Sequence, residues 1–286
     1  MSFSNTNVRF DFGPLGVHRF ELPETRTDAS PVHFFGVKKG GSTLLAQVVR
    51  DLVPRSDLSL WEPPKEFFSR GLPMYQCVRD LDDALARPGL AIGTFRWLPE
   101  NWLMNLHAGV PTRGLLLVRD PRDMLVSFYY SAIESHAVPG EHSEGPIRET
   151  MMRRRETLQA DGTDVDTFAL LKAPQFLRNY LRTLQLLTID DLVLLRYEDI
   201  IYDKAELIVA VAERLRADMS DHEVKQLVEK HDVRPDLERP TEHIRQVHPG
   251  NHREKLAPET VRRLDETFGV VLDMLGYERA HEATLV

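Results

Sequence analysis

Residues 32–49, which read VHFFGVKKGGSTLLAQVV, form the stretch that decides the fold. The apolar run over 32–37 predicts a buried strand, and the residues from Ser42 onward have helical composition with an N-cap at their start. Gly40 and Gly41 lie between the two. A glycine turn from strand to helix directs free backbone N–H groups and the helix dipole at one place. We therefore predict a phosphate site at this turn.

The loop shares part of the frame G-x-x-x-x-G-K-[ST], which binds nucleoside triphosphates. Gly36, Gly41 and Thr43 fit that frame, whereas Ser42 stands where the lysine belongs. The lysines lie earlier, at 38 and 39, where an amine can neutralise a bridging oxygen rather than the β- and γ-phosphates. Taken alone, the loop also fits an ordinary turn that ends a strand with two glycines.

Strands and helices alternate along the rest of the chain. This alternation predicts a single α/β domain over residues 1–286, with a central parallel sheet flanked by helices and ligands at the carboxyl ends of the strands. We expect an irregular segment over 54–76, a helix over 80–86 and a mobile insertion or lid over 137–163. Strands are predicted near 8–12 and at 89–95, 114–118 and 191–195, and helices from 120 and at 165–188, 203–217, 221–230 and 258–275.

Composition limits the class of protein. The 286 residues are 42% hydrophobic, which fits one domain with a substantial core. The net charge of −8 argues against a broad nucleic-acid surface but allows a local basic pocket. The single cysteine, Cys77, fits a reducing compartment. We find no secretory signal and no run of 18 apolar residues, so we expect a cytoplasmic protein without a membrane span. None of these features predicts an oligomeric state.

A second basic motif, RDPRDMLVS, occupies residues 119–127 after the strand predicted at 114–118. Arg119 ends that strand at the same sheet edge as the glycine loop, and Ser127 lies about two turns into the next helix. An arginine fork and a hydroxyl together suit a phosphate monoester. Taken alone, the motif fits equally well a capping Asp120 with Arg119 in a surface ion pair.

The two motifs, in this order and each after a strand, resemble those of the sulfotransferases that use 3′-phosphoadenosine 5′-phosphosulfate (PAPS). Residues 38–44, KKGGSTL, are similar to the 5′-phosphosulfate loop P-K-S-G-T-T-W of that family. Residues 119–127 resemble its 3′-phosphate motif, R-N-P-[KR]-D-x-x-x-S. Residues 195–199, LRYED, look like its Y-E-D segment, and residues 245–253, RQVHPGNHR, are similar to its late R-K-G-x-x-G-D-W-K loop.

The resemblance spans roughly residues 32–256 and implies a P-loop-like sulfotransferase fold. It implies transfer of a sulfuryl group from PAPS to a hydroxyl or amine of a small acceptor, without a metal. Lys39 would stabilise the oxygen that bridges phosphorus and sulfur. The residues implied to hold the donor are Lys39, Gly40, Gly41, Ser42, Thr43, Leu44, Arg119, Ser127, Tyr197 and Arg245.

The catalytic histidine of the family, which belongs in a T-H-L-P segment, is missing because residues 94–99 read TFRWLP. A carboxylate is the natural substitute as general base. Sulfotransferases of heparan-type sugars use a glutamate from the region that here contains Glu62 and Glu66, so Glu62 is our candidate base. His107 and His136 are other possible bases. Alternatively, Glu62 is an ordinary solvated side chain without a catalytic role.

Two other functions stay open at this stage. A phosphotransferase that uses ATP and magnesium would share the glycine frame, and Asp120 could mimic a metal-holding aspartate, but the lysine after Gly41 is missing. A nucleotide-binding module without turnover would explain the absent histidine, although it has no need of Lys39 in this position.

Overall fold

The computed structural model describes residues 7–96, 102, 113–135, 138–143, 145–232 and 248–280, without the side chains of 134 and 135. The strands are β1 (Asn7–Asp11), β2 (Val17–Glu21), β3 (Val32–Gly36), β4 (Ser59–Trp61), β5 (Arg79–Asp80), β6 (Leu90–Phe95), β7 (Arg113–Val118) and β8 (Asp191–Arg196). The helices are α1 (Ser42–Leu52), α2 (Pro63–Ser69), α3 (Pro121–Tyr130), α4 (Ile147–Ala160), α5 (Val165–Leu184), α6 (Tyr197–Ile200), α7 (Lys204–Leu215), α8 (Asp221–His231), α9 (Asn251–Lys255) and α10 (Pro258–Leu275).

Five parallel strands form the central sheet in the order β4-β6-β3-β7-β8. β3 is buried throughout, as a strand covered on both faces must be. Phe35 and Leu116 pack into one hydrophobic layer with α3, α5 and α10, while Phe34 and Leu115 pack into the other with α1 and α7. The predicted α/β fold with a central parallel sheet between helices is confirmed.

A small antiparallel sheet, in the order β2-β1-β5, lies beside the central one. It explains the alternation predicted near residues 8–12, because Val8, Phe10 and Phe12 are fully buried in the aromatic part of the core. In the described part of the chain, no helix is both long and apolar enough to cross a membrane.

Two expectations about local structure were wrong. The segment 54–76 is not irregular throughout, because Ser59 to Trp61 pair in parallel with Leu90 to Ile92 as β4. α2 follows at once, with proline in its first turn, where proline is tolerated. In place of the helix expected over 80–86 are the last residue of β5 and a single turn of 3-10 helix at Ala84–Ala86. The buried Asp80 carboxylate fixes this turn, because it accepts hydrogen bonds from the backbone N–H groups of Asp82 and Leu85.

The segment 137–163 contains α4 and is attached to the region after α2. The backbone N–H of Gly145 donates to the carbonyl of Arg70, and that of Ile147 donates to the carbonyl of Gly71. These bonds hold the start of α4 beside the cavity described below. That this segment moves as a lid stays a prediction.

Candidate functional site

A cavity of about 700 Å³ opens at the carboxyl ends of the central strands, where bound ligands are expected in open α/β sheets. The loop after β3 and the first residues of β7–α3 both reach it. Of the residues implied by the family resemblance, those that line the cavity are Lys39, Gly41, Ser42, Thr43, Leu44, Arg119, Ser127 and Tyr197.

The conformation of the glycine loop leaves no room for a side chain at Gly40 or at Gly41. Gly41 caps α1 with a φ of +88°, and a Cβ there would lie 2.7 Å from the ring of Tyr197. Gly40 lies beneath the loop, where a Cβ would meet Val37 at 2.3 Å. The first-turn N–H groups of α1, which have no partner inside the helix, therefore face the cavity beside Lys39.

Arg119 connects the second motif to this loop. Its side chain is almost fully buried, and its guanidinium donates to the carbonyl of Lys39 at 3.2 Å. The guanidinium also stacks 4.4 Å above the ring centroid of Tyr197 and lies 3.7 Å from the Asp123 carboxylate. Its Nε is buried and has no hydrogen-bond partner among the described residues, so the fork retains a donor.

Residues that are far away in the sequence form hydrogen bonds to the backbone of the second motif. The Tyr180 hydroxyl donates to the carbonyl of Arg119 at 2.6 Å. The Glu198 carboxylate, whose pKa burial raises, accepts from the N–H of Asp120 and from the Tyr277 hydroxyl, each at 2.9 Å. Glu198 follows Tyr197, so one short segment supports both the glycine loop and the second motif.

Arg122, in contrast, points into the core. It is buried and forms ion pairs of 2.6 Å with Asp120 and with Asp265 of α10. It also donates to the carbonyl of Glu278 at 2.9 Å. The two arginines of the motif therefore differ, because Arg119 reaches the cavity and Arg122 fixes α3 to the last helix.

Asp123 ties the second motif to the late loop. It accepts from the backbone N–H groups of Gly250 and His252 and from the His252 ring Nδ1, at 2.7 to 2.9 Å. Burial opposes ionisation, but the His252 hydrogen bond and the charge of Arg119 outweigh it and lower the pKa of Asp123 to about 2. Arg245, predicted on this loop, lies outside the described residues, as do His107 and His136.

The cavity is lined by many cations. Lys38 lies with its Nζ 3.5 Å above the centroid of the Phe128 ring. Burial and the nearby charges of Arg154, Lys39, Arg96 and Lys172 lower its pKa to about 7. From the sequence, Lys38 was considered together with Lys39, but only Lys39 was assigned to the site. Arg154 and Lys172 were missed, although the triplet RRR at 153–155 is a visible signal.

Among the described residues that line the cavity, Asp51 is the sole carboxylate, and it is already bound to Lys230 and His231 at 2.7 and 2.8 Å. No group of three or more potential metal-ligating His, Cys, Asp or Glu side chains occurs in the described residues. The electrostatics of the cavity thus suit an anionic ligand.

Glu62 does not line the cavity. Arg50, which does line it, donates from Nε and from its terminal nitrogen to the two Glu62 oxygens, at 2.9 and 2.6 Å. Lys65 approaches the same carboxylate at 3.9 Å. Burial raises the pKa of Glu66, which lies outside the cavity lining as well. The role of Glu62 as a base stays a prediction, and its ion pair weighs against it.

A family model described as a sulfotransferase domain matches residues 30–276. No curated protein matches the chain. A crystal structure of mouse sulfotransferase SULT7A1 complexed with PAP is similar over 87% of this chain and 86% of that one, with 15% sequence identity and a TM-score of 0.53. At that identity the likeness shows the fold alone.

A second crystal structure, of retinol dehydratase in complex with androsterone and the inactive cofactor PAP, has 17% identity over 87% of this chain and 82% of that one, with a TM-score of 0.47. The family match covers both cavity motifs and all five strands of the central sheet. The chain therefore belongs to the sulfotransferase domain family, and the enzyme class predicted from its sequence, a PAPS-dependent sulfotransferase, is confirmed.

Proposed function

We propose that this protein transfers the sulfuryl group of PAPS, bound along the two basic motifs, to a hydroxyl or amine of a small acceptor in the same cavity. The observation that carries this proposal is the hydrogen bond of 3.2 Å from Arg119 to the carbonyl of Lys39. Because of it, two anion sites that are 80 residues apart in sequence form one unit. A ligand with a 5′-phosphosulfate and a 3′-phosphate needs such a pair of sites.

Each part of the donor has a suitable partner in the cavity. The first-turn N–H groups at Ser42 and Thr43 suit the 5′-phosphate, and Arg119 with Ser127 suits the 3′-phosphate. The Tyr197 ring and the Leu44 side chain offer apolar surface for the adenine. PAP, adenosine 3′,5′-bisphosphate, is the molecule that the mouse sulfotransferase of similar fold was crystallised with.

Sulfuryl transfer requires little covalent chemistry from the protein. A bond forms between the acceptor oxygen or nitrogen and sulfur while the bond from sulfur to the bridging oxygen breaks, and PAP leaves. Negative charge develops on that bridging oxygen, so an amine fixed beside it stabilises the transition state more than the bound donor. We assign this role to Lys39. The proton of the acceptor passes to a general base, and the Glu62→Gln variant below tests whether Glu62, the candidate from the sequence, has this role.

Calorimetric titration of PAP, with ATP and magnesium in parallel, tests the proposal. We expect PAP to bind at least about tenfold more tightly than ATP with magnesium, because only PAP has a phosphate for Arg119 and Ser127. Tighter binding of ATP would favour the phosphotransferase. PAP binding with no turnover of PAPS across a panel of phenol, alcohol and amine acceptors would favour a binding module.

The variant Glu62→Gln separates a catalytic carboxylate from a structural one. We expect kcat to fall by less than about tenfold, because Glu62 lies outside the cavity lining and its amide replacement can still accept a bond from Arg50. A general base contributes roughly 10²–10⁴-fold. A loss of a hundredfold or more, with unchanged PAP affinity, would therefore assign the base to Glu62 after all.

Lys38 makes the stability of the ligand-free protein depend on pH. Folding lowers its pKa from 10.5 to about 7, because the side chain is buried and lies near the cations Arg154, Lys39, Arg96 and Lys172. Between pH 7 and about pH 10 the unfolded chain therefore binds a proton that the folded chain has released. By linkage the free energy of unfolding rises with pH in this window, and the destabilisation is fully present below pH 7.

We therefore expect Lys38→Met to raise the free energy of unfolding by about 1–3 kcal/mol at pH 7, with a smaller gain at pH 9. Urea denaturation of wild type and variant at the two pH values measures the difference. Lys225→Met, at an exposed position of α8, is the matched control and should change stability little at either pH. A gain that does not shrink at pH 9 would contradict the assignment.

A further inference from the structure

Three cations lie near a pair of aromatic rings that pack edge to face, and one of these rings, Phe128, lines the cavity. The rings of Phe128 and Phe168 lie 5.4 Å apart between α3 and α5. The Lys38 amine is 3.5 Å from the Phe128 centroid, the Arg154 guanidinium carbon is 5.9 Å from it, and the Lys172 amine is 6.0 Å from the Phe168 centroid. Lys38, Arg154 and Lys172 are called the cation cluster below.

The cation cluster has no acidic partner in the described part of the chain. None of its members is within 4 Å of a described carboxylate, and the acidic side chain in the cavity lining, Asp51, is bound to Lys230 and His231. Like charges so close together repel each other, and burial together with Arg154 lowers the pKa of Lys172. A cleft lined by one sign of charge concentrates ligands of the other sign.

The proposed donor does not use Arg154 or Lys172. Its phosphosulfate and 3′-phosphate are assigned to Lys39, the start of α1, Arg119 and Ser127. Arg154 and Lys172 come from α4 and α5, which contribute neither basic motif. Beside them the cavity wall is apolar, with Phe68, Met74, Met151 and Phe176. The cavity therefore combines positive charge outside the two donor motifs with an apolar surface.

We propose that the acceptor is amphipathic and anionic. Its carboxylate, sulfate or phosphate group is held by Arg154 and Lys172, and its apolar body packs against the methionine and phenylalanine side chains. Lys38 belongs to the glycine loop and is close enough to Arg154, Lys172 and Lys39 for their charges to lower its pKa, so its own charge acts on both anions. The inference rests on the proposed function, because it takes the donor to be bound by the two basic motifs.

Three phenols with small para substituents of different charge test this directly. They are 4-hydroxyphenylacetate, 4-ethylphenol and tyramine, and each is titrated calorimetrically into protein saturated with PAP. We expect 4-hydroxyphenylacetate to bind at least about tenfold more tightly than 4-ethylphenol, and tyramine to bind most weakly. Equal or weaker binding of the anion, or binding of none of the three, would overturn the inference.

The double variant Arg154→Glu/Lys172→Glu should reverse the order, so that tyramine binds more tightly than 4-hydroxyphenylacetate. PAP affinity should change by less than about fivefold, because the donor sites are elsewhere. Arg153→Glu is the matched control, since Arg153 is exposed on the same helix and does not line the cavity, and it should leave the order unchanged.

The PAP titration distinguishes the two kinds of failure. If PAP does not bind the wild-type protein, the proposed donor site is wrong, and the inference fails with it. If PAP binds but the preference for the anionic phenol is missing, the inference alone fails. A double variant that loses PAP affinity as strongly as it loses the anionic phenol would assign the cation cluster to the donor and would also overturn it.

Discussion

Replacement of Lys39 by methionine is expected to lower kcat by at least about a hundredfold while the protein stays folded. Removal of one preorganised donor at a developing negative charge costs roughly 10²–10³-fold. Lys39 lines the cavity rather than the core, and its backbone has a φ of +64°, a conformation that methionine takes up as well or as badly as lysine. The substitution therefore removes the amine and preserves the side-chain stem and the loop.

A catalytic role for Lys39 requires that its loss lower kcat much more than it lowers the affinity for PAP. PAP affinity should fall by less than about tenfold, because the first-turn N–H groups of α1 and the Arg119 fork remain. The measurement is PAP release from PAPS, with the acceptor that wild type turns over fastest, beside a PAP titration. Lys225→Met serves as the control on an exposed lysine. A kcat for Lys39→Met within about fivefold of wild type would exclude the proposed role.

Local sequence patterns predicted the part of the fold that positions the site. The strand-glycine-helix sequence over 32–49 needs only neighbouring residues, and α10 begins and ends at the predicted residues 258 and 275. β4 could not be predicted in this way. It has three residues beside prolines, and it exists because Ser59 to Trp61 pair with a strand some thirty residues later. Pairing at such a distance leaves no periodic signal in so short a segment.

The same distinction applies within the site. Lys39, Arg119, Ser127 and Tyr197 could be named from motifs, and all line one cavity. The contacts that make the motifs one unit, such as the bond from Tyr180 to Arg119, join residues 61 or more positions apart. Such partners are fixed by the topology of the sheet rather than by neighbours in sequence.

The sequence shows a cluster of arginines on α4, but it does not show which of them faces the cavity. Residues 153–155 are three consecutive arginines on α4, and of these only Arg154 lines the cavity. Successive helical residues point about 100° apart, so the helix must be placed before one of them can be chosen. The segment 137–163 was interpreted as a mobile insertion, so the position of α4 relative to the cavity was not predicted.

Arg119→Met is expected to weaken PAP binding by about a hundredfold, the largest effect on affinity of any substitution considered. The guanidinium is buried, stacks on Tyr197 and has an Nε without a described partner, so it is fixed and ready to bind a phosphate. A charge-assisted bond to a desolvated phosphate contributes about 1.5–3 kcal/mol, and a bidentate pair contributes more. Arg119→Lys should recover only part of the affinity, because an ammonium cannot form the fork.

Arg122→Met provides the contrast within the same motif. Its guanidinium pairs with Asp120 and Asp265 in the core, so its loss leaves buried carboxylates and is expected to lower the free energy of unfolding by about 3–5 kcal/mol. Loss of Arg119 should cost less stability, since Asp123 retains its bonds from Gly250 and His252. PAP affinity of whatever folded Arg122→Met protein can be prepared should stay close to that of wild type.

Calorimetry with PAP and urea denaturation, applied to Arg119→Met, Arg119→Lys and Arg122→Met, separate the two roles. The expected pattern is a loss of affinity in the Arg119 variants and a loss of stability in the Arg122 variant. Unchanged PAP affinity in Arg119→Met would remove the 3′-phosphate from this position. Parallel losses of affinity and stability in both variants would mean that the motif acts as one structural cluster, in which Arg119 supports the glycine loop through the Lys39 carbonyl instead of binding the donor itself.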